Sequence, residues 1–322
     1  MSLSLEPAHA GERPDAPDGD RPLAVVPASH ADLLDQALPA VLTTHMPDGR
    51  LQSTVIWYWR TGEEVRMTTM LEFRKAANLL ARPRATLLVT DPADGRWVEI
   101  RADVAPVPGN GLADLDDVGE RYCGVRPYFG AVVAAELADV ETPVTFRLLP
   151  RAVVVGPTPP VAPPGDGSAR PVGEAPAWTP SGRDVPLPAS HLDLLDRPLL
   201  AALATRLPDG AAQVQPVWCG REGDVVVVAT TLERRKGRNL VLDPRATLLV
   251  IDPADSSRWL EVRGDVELTT DGALPLLDRL TREYTGHPTY YGPVAPAELA
   301  ARETRVTARL HPRRVNRDAV HR

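Results

Sequence analysis

The hydrophobic pattern is clearest in the C-terminal part of the chain, where short aliphatic runs alternate with turn-forming residues. Residues 224–230 form a β-branched run whose length suits a buried strand. Pro208-Asp-Gly210 is a turn signal between two further strands. The six strands predicted in this way cover residues 199–205, 212–218, 224–230, 246–251, 259–266 and 304–310. Six antiparallel strands favour a closed or split barrel, because closure hides the strand edges.

Three short helices are predicted between these strands. Ser190 and Asp193 resemble a capping box at the start of a helix over 190–196. A basic helix over 234–242 ends before Asp243-Pro244, since the residue before proline disfavours helical geometry. A third helix over 272–284 has an apolar side. The sequence therefore predicts a mainly β fold with short helical insertions.

The same pattern occurs twice in the chain. Residues 26–35 match residues 187–196, and residues 83–89 match residues 244–250. Lys75 corresponds to Lys236, an offset of 161 residues, which becomes 162 after a one-residue insertion at Ser257. A period of this length is a duplicated domain and not a solenoid unit.

Composition marks the segments outside the repeats. Residues 1–24 are rich in Pro, Gly, Asp and Ala without apolar periodicity, so we expect disorder there and no secretory signal. The composition of residues 156–185 predicts a Pro/Gly-rich linker. We expect split barrels at residues 25–155 and 186–316, followed by a tail at 317–322.

Charge and composition limit the classes of partner. The formal net charge of −7 argues against bulk nucleic-acid binding, and no apolar run approaches the length of a membrane span. The two cysteines, Cys123 and Cys219, are not repeat-equivalent, which disfavours a duplicated disulfide or metal site. These features predict a cytoplasmic protein that acts on a small molecule.

The lysines point to a binding site. The chain has 36 Lys and Arg residues, of which only Lys75 and Lys236 are lysines, and they occupy equivalent positions. A compact ammonium group was retained where the chain elsewhere uses guanidinium. Beside Lys236 stand Arg235, Arg238 and Asn239, at a predicted strand-to-helix junction. A solvated basic face is the simpler interpretation, but the shared lysine position favours an anion site, with phosphate as the expected anion.

Other candidates are weaker. Trp57 and Trp218 share a strand position and suit either a core or a cofactor-facing role. His191, directly after the predicted helix cap, is expected at the surface. The paired aspartates, such as Asp252 and Asp255, enclose Pro-Ala and lack His or Cys, so we interpret them as turns and assign no metal site. No catalytic triad or glycine-rich nucleotide loop is recognisable, so no catalytic residue is assigned; a cofactor could supply the chemistry.

The order of motifs in the second copy resembles the pyridoxamine 5′-phosphate oxidase-like, FMN-binding split-barrel family. More narrowly, it resembles the PPOX-class branch that uses the deazaflavin coenzyme F420. The resemblance is carried by Pro216-Val-Trp218, Thr230-Thr231, Arg235-Lys-x-Arg-Asn-Leu240, Asp243–Asp252 and Arg258–Gly264. The Arg-x-Arg-Pro-x-x-Trp segment of true pyridoxamine phosphate oxidases is absent from the sequence, which argues against vitamin B6 oxidation.

The resemblance implies where the cofactor binds. In the second copy the matching residues are Thr230, Thr231, Arg235, Lys236, Arg238 and Asn239, with Trp218 on an adjoining strand. The first copy keeps Arg74, Lys75 and Asn78, but has Ala77 in place of Arg238 and Met70 in place of Thr231. A lost charge-assisted bond is typically worth about 1.5–3 kcal/mol. We therefore expect the first site to be weaker or vestigial.

The resemblance also implies a function and an assembly. It implies an oxidoreductase that uses coenzyme F420 to transfer hydride to or from a small organic substrate. FMN would suit the same residues and is the alternative cofactor; a non-catalytic flavin, deazaflavin or haem binding protein is the third hypothesis. Single-copy relatives form homodimers, so the duplication implies an intrachain pseudo-dimer, with the full chain a monomer or a homodimer.

Overall fold

The structure is a computed structural model that describes residues 22–109, 111–157, 178–179 and 182–318. The predicted disordered segment therefore lies almost entirely outside the described residues, as do most of the predicted linker and of the C-terminal tail. The first half is residues 22–157, and the second half is residues 182–318.

The first half is built mainly from strands. They are β1 Ala40–His45, β2 Leu51–Ile56, β3 Trp59–Thr61, β4 Glu64–Met70, β5 Arg84–Thr90, β6 Arg96–Val107 and β7 Pro143–Pro157. The α-helices are α1 Ala28–Ala31, α2 Arg74–Ala81 and α3 Gly111–Cys123. Short 3-10 helices cover Asp32–Leu34 and Ala135–Asp139, and a π-helical turn covers Tyr128–Val132.

The second half repeats this order. Its strands are β8 Ala201–Arg206, β9 Ala212–Val217, β10 Cys219–Glu222, β11 Val225–Thr231, β12 Arg245–Asp252, β13 Asp255–Thr269 and β14 Arg305–Arg317. Its α-helices are α4 Asp193–Asp196, α5 Arg235–Leu242 and α6 Ala273–Thr285. Short 3-10 helices cover Ala189–His191 and Ala297–Ala301.

Each half folds into one antiparallel sheet with the same strand order. The first sheet runs β2-β1-β5-β6-β7-β4-β3, and the second runs β9-β8-β12-β13-β14-β11-β10. The mainly β, tandem split-barrel fold is thus confirmed. The expected strand number of six is wrong, because each sheet contains seven strands. The missed strand, β10 in the second half, is four residues long. Only one residue, Trp218, lies between it and β9, so no turn signal separates the two strands.

The longest strands bend at a bulge. The register between β13 and β14 shifts at Arg263/Gly264, and the register between β6 and β7 shifts at the equivalent Arg101/Ala102. A Cβ at Gly264 would lie 1.9 Å from the carbonyl oxygen of His311, so the strands approach there more closely than a side chain allows. Strand β14 continues past this bend to Arg317, beyond its predicted end at residue 310, and β13 extends beyond its predicted span at both ends.

The predicted helix over 190–196 differs in detail. A 3-10 turn, Ala189–His191, precedes α4, and Ser190 caps neither helix. The Ser190 hydroxyl is instead hydrogen-bonded to Nδ1 of His191 at 2.9 Å, and His191 Nε2 lies 2.7 Å from the Asp318 carboxylate. His191 is only 3% exposed, so its expected surface position is wrong. Asp318 lies far away in sequence and supplies a partner that allows the imidazole to be buried.

Each barrel has its own apolar core, and a third apolar cluster joins the two halves. Residues of both halves contribute to it: Val41, Leu51, Leu88, Trp97, Ala202, Ala204, Ala212, Val214, Leu249 and Trp259. The two tryptophans are repeat-equivalent and buried. Their role is therefore packing between the halves.

Polar contacts across this interface are paired by the internal pseudo-symmetry. The Thr86 hydroxyl donates to the carbonyl of Ala212 at 2.7 Å, and the equivalent Thr247 hydroxyl donates to the carbonyl of Leu51 at 2.8 Å. The backbone N–H of Ser53 donates to the buried carboxylate of Glu261 at 2.8 Å. The halves therefore pack as an intrachain pseudo-dimer, as expected.

A buried asparagine fixes the basic helix in each half. Nδ2 of Asn239 donates to Thr205 Oγ1 and to Gln213 Oε1, both at 3.0 Å. Asn78 makes the same two bonds to Thr44 and Gln52 in the first half. These bonds attach α5 to the hairpin β8–β9 and α2 to the hairpin β1–β2. The asparagines thus position the helices that carry the lysines.

We expect Asn239→Ala to lower the free energy of unfolding by about 1–3 kcal/mol, because it leaves buried polar groups without a partner. Asn78→Ala is the matched control and should cost a similar amount. Denaturant unfolding measures both values. A midpoint unchanged by either substitution would contradict the anchoring role of these side chains.

We also expect residues 184–322, expressed alone, to self-associate or aggregate. Removing the first half exposes the apolar face that carries Trp259. Light scattering on this fragment and on the full chain tests the expectation. A soluble, stable monomer of the fragment would show that the interface is not needed to protect that face.

Candidate cofactor site

The site begins where strand β11 passes into helix α5. Thr230 and Thr231 end the strand and are buried. The hydroxyl of Thr231 accepts a hydrogen bond from the backbone N–H of Arg234 at 3.2 Å, which shapes the turn before the helix. The hydroxyl of Thr230 is buried and has no hydrogen-bond partner among the described residues. Thr231 is thus committed to the local fold, whereas Thr230 has bonding capacity left.

Helix α5 lies directly against the end of β11. A Cβ at Gly237 would lie 2.0 Å from the carbonyl oxygen of Thr231, so this approach requires glycine. The first half has Ala76 at this position. The helix and strand therefore cannot approach as closely there, and the two sites differ already in backbone geometry.

The structure places the predicted cations around α5 but in two separate cavities. Lys236 lines a small cavity of about 30 Å³. Arg235 and Arg238 line a larger groove of about 390 Å³ between the halves. The small cavity is lined by Pro216, Val217, Trp218, Ala229, Arg234, Lys236, Leu277, Leu280, Tyr290 and Arg305. The predicted cations all lie on α5, but neighbouring ones face different spaces.

Lys236 is a partly buried cation without a partner: it makes no hydrogen bond or ion pair with any described residue. Burial lowers the pKa of Lys236 to about 7, Arg234 lowers it further, and Glu99 opposes the shift. Burial also lowers the pKa of Lys75, to about 8, and its ammonium lies 5.6 Å from the ring centre of Phe73. A desolvated, unpaired ammonium group is stabilised by a nearby anion.

Two arginines that sequence reasoning missed complete the small cavity. Arg305 forms an ion pair with Glu303 at 2.5 Å, and its Nε donates to the hydroxyl of Tyr291 at 2.7 Å. The guanidinium of Arg305 also lies 4.6 Å from the ring centre of Tyr290. Arg234 lies 3.8 Å from Glu303. One carboxylate, Glu303, thus pairs with two cations of this cavity, Arg234 and Arg305.

Trp218 forms a rigid wall of the small cavity. It is buried and stacks on Tyr284, with ring centres 5.2 Å apart. The Tyr284 hydroxyl donates to the carbonyl of Leu199 at 2.7 Å and accepts from the N–H of Cys219 at 3.1 Å. The first half keeps this stack as Trp57 on Tyr122. The aromatic wall is therefore common to both halves, and the cations are what distinguish them.

The first half has lost most of the corresponding charge. Phe73 stands where the second half has Arg234, Pro143 where it has Arg305, and Ala77 where it has Arg238. Of the predicted first-half residues, Arg74 is exposed, Lys75 remains partly buried and Asn78 anchors the helix. The divergence between the copies was the sequence signal that could have identified Arg234 and Arg305.

The groove between the halves includes residues that no local pattern predicts. Arg101, on β6 of the first half, lines it together with Arg235 and Arg238 of the second half. Nε of Arg101 lies 3.2 Å from the carboxylate of Glu99. Burial raises the pKa of Glu99 to about 7, an effect opposed by Arg101, by the N–H of Val214 and by Arg235 and Lys236. Both halves therefore contribute to one electrostatic environment.

The remaining candidates are structural. The Asp252 carboxylate accepts from the N–H of Ala254 and pairs with Arg197 and Arg258, as a turn residue does. Among the described residues, no cluster of three or more His, Cys, Asp or Glu could hold a metal ion. No helix in the described part of the chain is long and apolar enough to cross a membrane.

Comparison with known proteins supports the assignment of the fold. Two segments, residues 26–139 and 187–316, match the family model described as pyridoxamine 5′-phosphate oxidase. A solved structure described as an F420 reductase is 35% identical, aligned over 40% of this chain and 98% of that one, with a TM-score of 0.36. A conserved hypothetical protein from Mycobacterium tuberculosis is 24% identical, over 45% of this chain and 95% of that one, with a TM-score of 0.33.

A putative pyridoxamine 5′-phosphate oxidase from Listeria innocua is 12% identical, over 39% of this chain and 94% of that one, with a TM-score of 0.32. The comparison with curated proteins finds no match. The family match covers most of both halves, and both halves have the same strand order. The chain therefore belongs to the pyridoxamine 5′-phosphate oxidase family of split barrels and contains the family domain twice.

Proposed function

We propose that this protein is an oxidoreductase that binds coenzyme F420 beside α5 and transfers hydride to or from a small organic substrate. The observation that carries the proposal is Lys236, a desolvated cation without a partner among the described residues, at the start of the helix that matches the family's phosphate segment. The motif order from Pro216 to Gly264 favours the deazaflavin over FMN. FMN remains the second candidate, because its phosphate would suit the same cations.

The side chains around the small cavity match an anionic, aromatic cofactor in charge and aromatic character, while the cavity itself, about 30 Å³, has room for only one or two water molecules, so the cofactor would lie at its mouth. Lys236, Arg234 and Arg305 concentrate positive charge in a protein whose formal net charge is −7, so the local field attracts an anion against the global charge. Trp218 and Tyr290 offer aromatic walls held in fixed orientations. When bound, the cofactor would supply the hydride-transfer chemistry, which needs no dedicated acid or base from the protein.

Different side chains of the second half have separate roles in holding the cofactor. The cations beside α5 hold the anionic group, and Asn239 fixes the helix that carries them. The buried hydroxyl of Thr230 lies at the approach to the helix with bonding capacity left. Leu277 and Leu280 of α6 line the same cavity and limit access of water, which strengthens the electrostatic attraction.

Fluorescence titration of the purified full chain with coenzyme F420 and, separately, with FMN tests the cofactor assignment. We expect micromolar binding of F420 and weaker binding of FMN. Tighter binding of FMN would make the second candidate correct. Binding of neither would refute a flavin-type cofactor at this site.

Lys236→Ala should weaken cofactor binding about ten- to hundredfold, the effect of losing a charge-assisted bond worth about 1.5–3 kcal/mol. Lys75→Ala is the matched control and should have a smaller effect, because the first half lacks counterparts of Arg234, Arg238 and Arg305. The dissociation constants come from the same titration. Thermal unfolding without cofactor should hardly change. An unfolded Lys236→Ala protein, or unaltered binding, would exclude this role for Lys236.

Cofactor affinity should fall as the pH rises from 7 to 9. The pKa of Lys236 is about 7 in the free protein, so the amine is largely neutral above pH 7. A bound anion favours the ammonium form and raises this pKa, so binding takes up a proton. The dissociation constant should then rise by up to about tenfold per pH unit.

Titrations at several pH values measure this slope. Lys236→Met is the control, since the cofactor's own ionisations are the same in both proteins and only the contribution of the lysine is removed. The difference between the pH dependence of the wild type and that of Lys236→Met gives the contribution of the Lys236 amine. Equal slopes for the wild type and Lys236→Met would rule out proton uptake by this amine.

A further inference from the structure

The groove beside α5 and the pseudo-equivalent place beside α2 differ in how their arginines are engaged. Beside α5, Arg101 faces the groove with its side chain 19% exposed. Its counterpart beside α2 is Arg263, whose side chain is 6% exposed and whose Nη1 donates to Sδ of Met46 at 2.9 Å. The second half has Leu207 in place of Met46, and leucine cannot accept this bond. Arg101 is therefore directed to the groove, whereas Arg263 is occupied internally.

A second contact across the halves occurs only beside α2 among the described residues. Nη1 of Arg245 donates to the carbonyl of Asp48, in the turn between β1 and β2, at 3.2 Å. The counterpart of Arg245 is Arg84, which pairs with Asp103 at 3.8 Å and whose side chain is 66% exposed. The turn at Asp48 is thus hydrogen-bonded to the second half, whereas Arg84 makes no corresponding hydrogen bond to the turn at Asp209.

The charges follow the same asymmetry. Arg235 and Arg238 make no ion pair with any described residue, and the acid that lines the groove with them is Asp209. Beside α2, Ala77 replaces Arg238. The groove beside α5 therefore contains three guanidinium groups from both halves in a cavity of about 390 Å³, large enough for an anionic group with an apolar body.

Arg101 is held in position by a buried carboxylate that has few other partners. Glu99 is 1% exposed, and Arg101 Nε lies 3.2 Å from it. The counterpart Glu261 accepts hydrogen bonds from the N–H of Ser53 and from Nδ2 of Asn316, whereas Val154 occupies the place of Asn316 opposite Glu99. Arg101 is consequently the main side-chain partner of Glu99, which fixes the guanidinium at the wall of the groove.

We propose that this chain has one anion-binding groove, the one beside α5, and that Arg101 of the first half is a binding residue for a phosphate or carboxylate group held by Arg235 and Arg238 of the second half. The inference rests on the proposed function in one respect, since the cofactor is one source of such a group; an anionic substrate is the other. The first half then supplies a wall of the site and does not form a second site.

Calorimetric titration of the full chain with coenzyme F420, and separately with inorganic phosphate and with benzoate, tests the proposal. We expect one F420 per chain. Arg101→Gln should weaken at least one of these ligands about tenfold or more, as loss of a charge-assisted bond does. Arg84→Gln removes the same charge outside the groove, on the same half, and should change each affinity less than twofold.

The pattern across ligands identifies the source of the anion. Weaker F420 binding by Arg101→Gln assigns the groove to the cofactor. Unchanged F420 binding with weaker phosphate or benzoate binding assigns it to an anionic substrate. If the protein binds phosphate or benzoate in a way that depends on Arg101 but binds neither F420 nor FMN, the anion-binding groove is supported and the proposed function is refuted. Equal effects of Arg101→Gln and Arg84→Gln on every ligand, or two F420 molecules per chain, would overturn the inference.

Two further variants keep the test decisive. If Arg101→Gln does not fold, Arg101→Lys retains a charge beside Glu99 but loses the planar fork, and it should fold while binding the same ligand more weakly. Met46→Leu combined with Ala77→Arg copies the second half onto the groove beside α2. This double variant should bind a second molecule of the same ligand more weakly. Unchanged affinity of Arg101→Lys would count against the proposal, and so would the absence of a second bound ligand in the double variant.

Discussion

The burial of one apolar face between the two sheets is the constraint on which the rest of the structure depends. Trp97 and Trp259 lie in this interface at equivalent positions, and paired threonine-to-carbonyl bonds fix the register of the halves. Because both halves belong to one chain, the effective concentration of each for the other is high. The interface also brings β6 of the first half against the groove beside α5, so the packing that stabilises the fold also assembles the candidate site.

Duplication relaxed the requirement that both sites remain alike. The interface has stayed nearly symmetric: the tryptophans, the threonine bonds and the asparagine anchors all occur in both halves. The sites have diverged: Arg234, Arg238 and Arg305 of the second half correspond to Phe73, Ala77 and Pro143 of the first. A homodimer of identical subunits could not vary one site alone, whereas a fused pair can keep one site and use the other half as a support.

The cations beside α5 are poorly compensated in the protein by itself. Burial opposes the charge of Lys236, and Glu303 is shared between Arg234 and Arg305. Such an arrangement contributes little to folding, because desolvation of a charge is unfavourable unless a partner offsets it. It does favour an anionic ligand, which would supply the missing partner. Burial likewise raises the pKa of Glu99, and the neighbouring cations Arg101, Arg235 and Lys236 only partly offset that rise.

The sequence alone determined the mainly β fold, the duplication, the helix that carries Lys236 and the weaker charge of the first copy, because these follow from local periodicity and from comparing two aligned copies. The choice of a split barrel over a closed one came from the resemblance of the motif order to a known family. It did not predict the short strand Cys219–Glu222, the burial of His191 against Asp318, or the anchoring role of Asn239. Only the tertiary structure showed that Arg235 and Lys236 face different cavities and that Glu99 and Arg101 reach α5. Those contacts join residues more than a hundred positions apart in sequence, and they depend on how the two sheets pack, which no local pattern encodes.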